Sequence, residues 1–156
     1  MIFVTIGTHP QGFNRLLRHI DLLAEELKEE VIIQRGFSSY KPRNAKSFTF
    51  VDDLKPYYTK ARLVISHSAT TVLEYMLTQK KPIITVPRQK IYGEHINDHQ
   101  VEFALFLAKK TGIPAIISIS DLTVDMLKNY HKKPIIDKEN LVKLQHYFKT
   151  LFEQSP

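Results

Sequence analysis

Short runs of β-branched and aromatic residues, separated by longer amphipathic stretches, most constrain how this chain can fold. Most of these runs are apolar at nearly every position, which indicates strands buried on both faces. The stretches between them repeat apolar residues every three or four positions, the spacing of one buried helix face. This alternation predicts a doubly wound parallel sheet, an α/β fold of the Rossmann-like kind. The predicted strands cover 2–6, 31–35, 47–51, 63–66, 83–86 and 115–118.

The amphipathic stretches predict the helices. In the first of them, Arg15, Arg18 and Glu25 are predicted to form the polar face. No repeat or linker interrupts the pattern, and 156 residues suffice for one core, so we expect a single domain over 1–156 with 138–156 as a terminal helix. The predicted helices cover 13–28, 55–60, 72–80, 95–110 and 138–152, and one more begins at 120–121.

Composition excludes several classes of protein. The absence of Cys removes disulfides, thiolate nucleophiles and Cys-based metal sites. No apolar run approaches the roughly eighteen residues that span a bilayer, and the apolar start reaches Gly7 too early for a signal peptide. We therefore expect a cytoplasmic protein. The net charge of +6 favours anionic partners, but the basic residues are dispersed and form no recognition motif, so nucleic acid is not the expected partner.

Ligands of parallel sheets bind beyond the carboxyl ends of the strands, which directs attention to three loops. The first runs from Gly7 to Gly12. It lacks the GK[ST] of a P-loop and the GxGxxG of a dinucleotide site. It is either a plain tight turn or a turn whose N–H groups receive a phosphate at a helix start. His9 within it is either a ligand contact or merely an exposed residue.

The second loop, 66–71, is rich in hydroxyl groups and leads into a helix that carries Glu74. Hydroxyls and N–H groups at a helix start suit a diphosphate, and a carboxylate one turn into the helix suits the hydroxyls of a ribose. The alternatives are a Ser/Thr helix cap and a solvated charge at Glu74.

The third loop, 87–100, is the most polar segment of the chain. His95 and His99 are four residues apart, so on a helix they share a face, and one alternative is a metal site that they form with Glu94 or Asp98. The HExxH pattern of zinc proteases is absent. A capped ordinary helix is a further alternative, and ligand recognition is the interpretation that we favour.

Three segments together resemble the C-terminal domain of family 28 glycosyltransferases: 4–9, 65–68 leading to Glu74, and 86–100. The resemblance extends from Met1 to about Phe106, and the third segment is its most specific part. Within the family, the chain most resembles the small donor-binding subunits of two-subunit UDP-sugar transferases. These act in bacterial exopolysaccharide or capsule synthesis and in dolichol-linked oligosaccharide synthesis.

The resemblance implies the C-terminal half of the GT-B fold and a donor-binding catalytic subunit. The implied reaction moves a hexosyl group, with inversion, from a UDP-sugar to a polyprenyl-diphosphate-linked acceptor, and no metal or other cofactor is implied. A membrane-anchored partner subunit would supply the acceptor half and recruit the chain to the cytoplasmic face of the membrane. Without the partner, we expect homodimers, because the surface that faces the missing half is uncovered.

The resemblance also implies roles for individual residues. Gly7 and Thr8 would lie near the diphosphate, Glu74 would hold the ribose, and His9 is the best local candidate for a general base. The other residues expected to bind the donor substrate are His67, Ser68, Ala69, Thr70, Thr71, Arg88, Glu94, His95, Asn97, Asp98, His99 and Gln100.

One segment departs from the family pattern. The family's loop, roughly H-x-G-x-G-T-x-x-E, appears here as HSATTVLE over 67–74, without glycine and one residue shorter. Glycines of this kind permit close approach of backbone to phosphate. Either hydroxyls replace them, or binding is weaker, or the chain is a non-catalytic nucleotide-sugar-binding or scaffolding subunit.

Overall fold

The computed structural model describes residues 1–153 and contains one five-stranded sheet. Every strand pairs in parallel with its neighbours, in the order β3-β2-β1-β4-β5. The predicted doubly wound α/β fold is therefore confirmed. The strands are β1 (Ile2–Thr5), β2 (Val31–Gln34), β3 (Lys46–Phe48), β4 (Leu63–Ser66) and β5 (Ile83–Thr85).

Helices cover both faces of the sheet, as the apolar strands require. In β1, Ile2 and Val4 contribute to one buried cluster, and Phe3, which points to the other face, contributes to a second. The first cluster includes the apolar side of α1, and the second includes residues of α3, α4 and α6. The helices are α1 (Asn14–Glu26), α2 (Lys55–Lys60), α3 (Thr70–Gln79), α4 (His99–Thr111), α5 (Val124–Asn129) and α6 (Lys138–Glu153).

The predicted sixth strand, 115–118, is wrong. Only Ala115 pairs with the sheet, through a parallel bridge to Thr85. Pro114 precedes it and has no N–H, so the ladder cannot continue upstream. Downstream, the chain turns into a short 3₁₀ segment, Ile119–Asp121. The helix that we predicted to begin at 120–121 starts at Val124, where the Thr123 hydroxyl accepts a hydrogen bond from the Met126 N–H at 3.2 Å.

The predicted helix 95–110 begins four residues late, at His99. Before it, a 3₁₀ turn over Lys90–Tyr92 ends at Gly93, which has a φ of +66°. The chain then runs through bends to Asp98. His95 therefore lies outside the helix, and the idea that His95 and His99 share a helical face is wrong.

The strand order reverses between β1 and β4, because the chain leaves β1 toward β2 on one side while β4 lies on the other. Such a switch point opens a crevice beyond the carboxyl ends of the two strands. The loops after β1, β4 and β5 meet there. Among residues 1–153, no helix has both the length and the apolar character needed to cross a membrane.

Candidate functional site

The first two loops touch at Gly7 and His67. Gly7 has a φ of +70°, and a β-carbon at this position would lie 2.6 Å from Cε1 of His67. Both the backbone conformation and the close approach of the imidazole therefore require glycine. The contact joins the turn after β1 to the loop after β4 at the switch point of the sheet.

His67 is buried, with 6% of its surface exposed. Burial, and secondarily the positive charge of Arg88, lowers the pKa of His67 to about 3. The imidazole is therefore neutral at physiological pH. It lies beneath the loops as a packing element, although the family resemblance suggested it as a donor contact.

The amino terminus of α3 lacks a side-chain cap. Ala69 occupies the N-cap position and makes no side-chain hydrogen bond, so the alternative of a Ser/Thr helix cap is wrong. The hydroxyl oxygens of Ser68 and Thr71 are buried and have no hydrogen-bond partner among residues 1–153. Unpartnered buried hydroxyls at an uncapped helix start leave several donors without an acceptor.

Two residues of the same helix are open to solvent. Thr70 begins α3 and is exposed, and Glu74 lies one turn further on and is exposed as well. The Glu74 carboxylate is thus accessible to a ligand that enters over the start of the helix.

Arg88 is completely buried and is the largest fully buried side chain of the protein. Its Nη1 donates to the carbonyl oxygens of Gln11 at 2.7 Å and Gly12 at 3.1 Å, and its Nη2 donates to that of Ile6 at 3.0 Å. The guanidinium lies 4.9 Å from the centroid of the Phe13 ring. Burial lowers the pKa of Arg88 to about 10, which leaves it charged at neutral pH. The structure therefore places Arg88 under the first loop, where its two Nη atoms donate to protein carbonyls.

Glu94 is also buried, and Arg15 holds it. The Nε and Nη2 atoms of Arg15 donate to the two carboxylate oxygens of Glu94, each at 2.9 Å, and the Gln89 N–H donates to the same carboxylate at 3.1 Å. The Arg15 side chain is only 14% exposed. Arg15 therefore lies outside the buried face of α1, but this ion pair draws its side chain into the third loop and away from solvent.

Several polar side chains of the third loop accept hydrogen bonds from the backbone of the same loop and so stabilise its conformation. The side chain of Gln100 accepts the Arg88 N–H at 3.1 Å, and that of Asp98 accepts the Lys90 N–H at 2.9 Å. The Asn97 side chain accepts the His99 N–H at 3.2 Å. Much of the polar density that we interpreted as ligand recognition therefore has a structural use.

His9 and His95 form a pair across the crevice, with ring centroids 4.9 Å apart. His9 Nδ1 accepts the Gln11 N–H at 3.2 Å. Burial lowers the pKa of His9, and the charges of Arg88 and His95 lower it further. Within residues 1–153, no three His, Cys, Asp or Glu residues are grouped so as to hold a metal ion.

Sequence reasoning thus found the three loops that meet but missed Arg15. The partner of Arg15 is 79 residues away, and a surface arginine on an amphipathic helix has no local signal of such a contact. The only hint was the density of charged residues in the third loop, which includes Glu94.

A doubly wound sheet with three polar loops at its switch point defines a Rossmann-like α/β domain. The model of the glycosyltransferase family 28 C-terminal domain matches residues 1–140, and the chain belongs to this family.

Two curated relatives give the range of similarity. The chain is 28% identical over 117 residues to the UDP-N-acetylglucosamine--N-acetylmuramyl-(pentapeptide) pyrophosphoryl-undecaprenol N-acetylglucosamine transferase of Hydrogenovibrio crunogenus, a match that covers 69% of this chain and 32% of that protein. It is 31% identical over 122 residues to the human UDP-N-acetylglucosamine transferase subunit ALG13, covering 70% of this chain and 10% of that protein. The aligned part is therefore about a third or less of either relative.

Solved structures share the fold at low sequence identity. MurG of Acinetobacter baumannii superposes with a TM-score of 0.56 and 17% identity, covering 94% of this chain and 44% of that one. The glycosyltransferase SnogD of Streptomyces nogalater superposes with a TM-score of 0.57 and 14% identity, covering 99% of this chain and 40% of that one. The fold corresponds to the C-terminal half of a GT-B glycosyltransferase.

Proposed function

We propose that this chain is the donor-binding part of a glycosyltransferase that moves a hexosyl group from a UDP-sugar to a polyprenyl-diphosphate-linked acceptor. Family membership supports a role in glycosyl transfer. The two curated relatives are named as N-acetylglucosamine transferases, and one name includes a pyrophosphoryl-undecaprenol acceptor. The proposal for this chain depends on what its own site offers to a donor.

The observation that carries the proposal is the uncapped start of α3. Its free N–H groups and the positive end of the helix dipole attract an anion. The buried hydroxyls of Ser68 and Thr71, which have no partner in the described part of the chain, add donors at the same place. A diphosphate would accept hydrogen bonds from the N–H groups at the helix start, and a small shift of the loop would bring these buried hydroxyls within its reach.

Glu74 gives the site a second specificity element. The carboxylate is exposed one turn from the uncapped helix start, which suits a sugar that follows a diphosphate. An ionised carboxylate accepts two hydroxyl hydrogens at once, as a ribose offers. We therefore assign the ribose of the nucleotide to Glu74 and the diphosphate to the loop 68–71 and to the turn at Gly7 and Thr8.

Catalysis in this proposal is mainly electrostatic. As the bond from the sugar to the diphosphate breaks, negative charge grows on the leaving group, and donors fixed beforehand in the protein stabilise it. The acceptor hydroxyl attacks from the opposite side of the anomeric carbon and gives inversion. His9 is the local candidate for its general base, and the acceptor half is the other source of that group.

The acceptor half is proposed to come from a partner anchored in the membrane, which would hold the chain at the cytoplasmic face. The name of the human relative includes the word subunit, which supports an assembly of this kind. We also propose that the isolated chain forms homodimers, since exposed apolar side chains such as Ile91, Tyr92 and Ile96 lie along the third loop.

A second candidate is a non-catalytic nucleotide-sugar-binding or scaffolding subunit. Ala69 and Thr70 stand in the loop where the family pattern has glycines. Their β-carbons reduce how closely the backbone can approach a phosphate. This candidate shares the donor site with the first and differs only in turnover.

Calorimetry and reconstitution test both. We expect the isolated chain to bind UDP more tightly than GDP or inorganic phosphate and to transfer almost no sugar. Equal affinity for UDP, GDP and phosphate would contradict the donor site. Transfer or donor hydrolysis by the chain together with its partner supports the transferase, whereas UDP binding without either reaction supports the scaffolding role.

A further inference from the structure

Arg88 joins two loops from below. Its guanidinium donates to carbonyls at the beginning of the first loop, Ile6, and at its end, Gln11 and Gly12. It also donates to the carbonyl of Glu94 in the third loop, at 3.3 Å. One rigid five-donor group thus sets the distance between the loops that carry His9 and His95.

The charge of Arg88 is not matched by a carboxylate of its own. All four of these hydrogen bonds end on main-chain carbonyls. The negative charge of Glu94 acts on Arg88, but Arg15 engages that carboxylate in a two-pronged ion pair. The buried group of Arg15, Glu94 and Arg88 therefore has two cations and one anion, which leaves a net positive charge under the crevice.

Burying this net positive charge costs free energy unless an anion binds close enough to compensate it. A buried cation loses its hydration, and neutral carbonyls compensate only part of that loss. In a region of low dielectric, the same charge acts strongly on an anion above it. The Phe13 ring, 4.9 Å away, contributes a further favourable contact with the cation.

We propose that Arg88 is a positioning residue of the donor site: it fixes the first and third loops from inside the protein and provides a positive field for the diphosphate. The inference rests on the proposed function and deepens it. Arg88 does not touch the donor in this role. Arg88 acts on the donor in two ways: it holds the backbone of the turn after Ile6 in place, and its positive charge attracts the diphosphate.

The test compares Arg88→Met and Arg88→Lys with a matched control. Methionine removes the charge and the hydrogen bonds but keeps an unbranched side chain, and lysine keeps the charge without the planar fork. Arg62→Met is the control, because Arg62 is a partly buried arginine that contacts Glu29 and donates to the carbonyl of Leu127 at 2.8 Å. It immediately precedes β4, at the opposite end of the strand from the site.

The readout is the ratio of the affinities for UDP and uridine, measured by calorimetry on folded protein. If Arg88 had a purely structural role, its loss would lower the affinities for UDP and uridine alike. In the proposed role, its loss lowers the affinity for UDP alone. We expect Arg88→Met to lower the ratio at least tenfold, Arg88→Lys about threefold, and Arg62→Met less than twofold. A ratio within twofold of the wild-type value in Arg88→Met would overturn the proposal. If Arg88→Met does not fold, an unchanged ratio in Arg88→Lys overturns it.

A second measurement separates this inference from the proposed function. If the wild-type chain does not prefer UDP to uridine, the proposed function and the field at the diphosphate both fail. The positioning of the loops is then decided by proton NMR. Contacts between the His9 and His95 rings are expected in the wild type and lost in Arg88→Met, and their persistence would overturn that part as well.

Discussion

The imidazole of His67 lies against the α-carbon of Gly7, so closely that a β-carbon on residue 7 would lie 2.6 Å from Cε1 of the ring. The contact joins adjacent strands at the point where the strand order of the sheet reverses. It holds the first loop in place from the side of β4, as the hydrogen bonds of Arg88 do from the side of β5.

Replacing Gly7 by alanine tests this contact. We expect Gly7→Ala to lower the free energy of unfolding by about 2 kcal/mol or more, since it adds left-handed backbone strain and a clash with His67. Gly112→Ala is the matched control: its φ of +72° gives similar strain, but no atom lies within 4 Å of the added carbon. Denaturant unfolding of both variants measures the difference. In a double-mutant cycle with His67→Ala, the losses should be less than additive, and full additivity would show that the ring does not cause the effect.

His67 should make the protein sensitive to mild acid. Its pKa is about 3 in the folded state and near 6.5 in an unfolded chain. Between these values, the unfolded chain binds more protons, so the free energy of unfolding falls as the pH falls below about 6.5, by up to about 1.4 kcal/mol per pH unit. Denaturant unfolding at pH 7 and pH 5 should show a smaller decrease in His67→Gln than in the wild type. An equal decrease in the free energy of unfolding in both proteins would mean that groups other than His67 cause the acid sensitivity.

Glu74→Ala should weaken UDP binding by roughly 1.5–3 kcal/mol, because a charged acceptor for the ribose hydroxyls is lost. Folding should hardly change, since the side chain is exposed. Glu25→Ala, an exposed carboxylate on α1, is the control and should leave UDP binding unchanged. Calorimetry on the three proteins decides the matter. An unaltered affinity in Glu74→Ala would identify Glu74 as an ordinary solvated helix charge.

Transferase activity of the chain with its partner should survive EDTA. The segment from Glu94 to His99 uses many of its polar groups for its own folding, and His95 is outside the helix that begins at His99. Sugar transfer measured before and after chelation, with and without added zinc, checks this. Activity that EDTA abolishes and zinc restores would revive the metal interpretation.

Membrane association should depend on the partner. We expect the chain to remain in the supernatant when expressed alone and to sediment with membranes when co-expressed. The net charge of +6 adds at most a weak attraction to anionic lipids, which salt screens. Cell fractionation in low and high salt measures this. Equal sedimentation with and without the partner, resistant to high salt, would contradict recruitment.

Local patterns were enough to predict the sheet and the edge at which the three polar loops meet. Apolar strands between amphipathic helices allow few arrangements other than a parallel sheet covered on both faces. Once that sheet is assumed, the loops after β1, β4 and β5 must meet at one edge. The ends of individual strands and helices were predicted less accurately, as the single bridge at Ala115 and the late start of α4 show.

The buried polar contacts could not be predicted, because each joins residues far apart in the chain. Asp21 is an example. It lies on α1 and is 2% exposed, and its carboxylate accepts the N–H groups of Arg43, Asn44 and Ala45. In the sequence it resembles any surface aspartate of an amphipathic helix. The Arg15–Glu94 pair and the burial of Arg88 were hidden for the same reason.

Arg88 recognises main-chain carbonyls, and this determines which changes the first loop can tolerate. Every residue presents the same carbonyl, so these hydrogen bonds do not select the residue types at positions 6, 11 and 12. The number of residues between them is selected, since an insertion or deletion would move one carbonyl away from the guanidinium. These hydrogen bonds therefore constrain the length of the first loop rather than its side chains, whereas Gly7 is constrained separately by its backbone conformation and by the contact with His67.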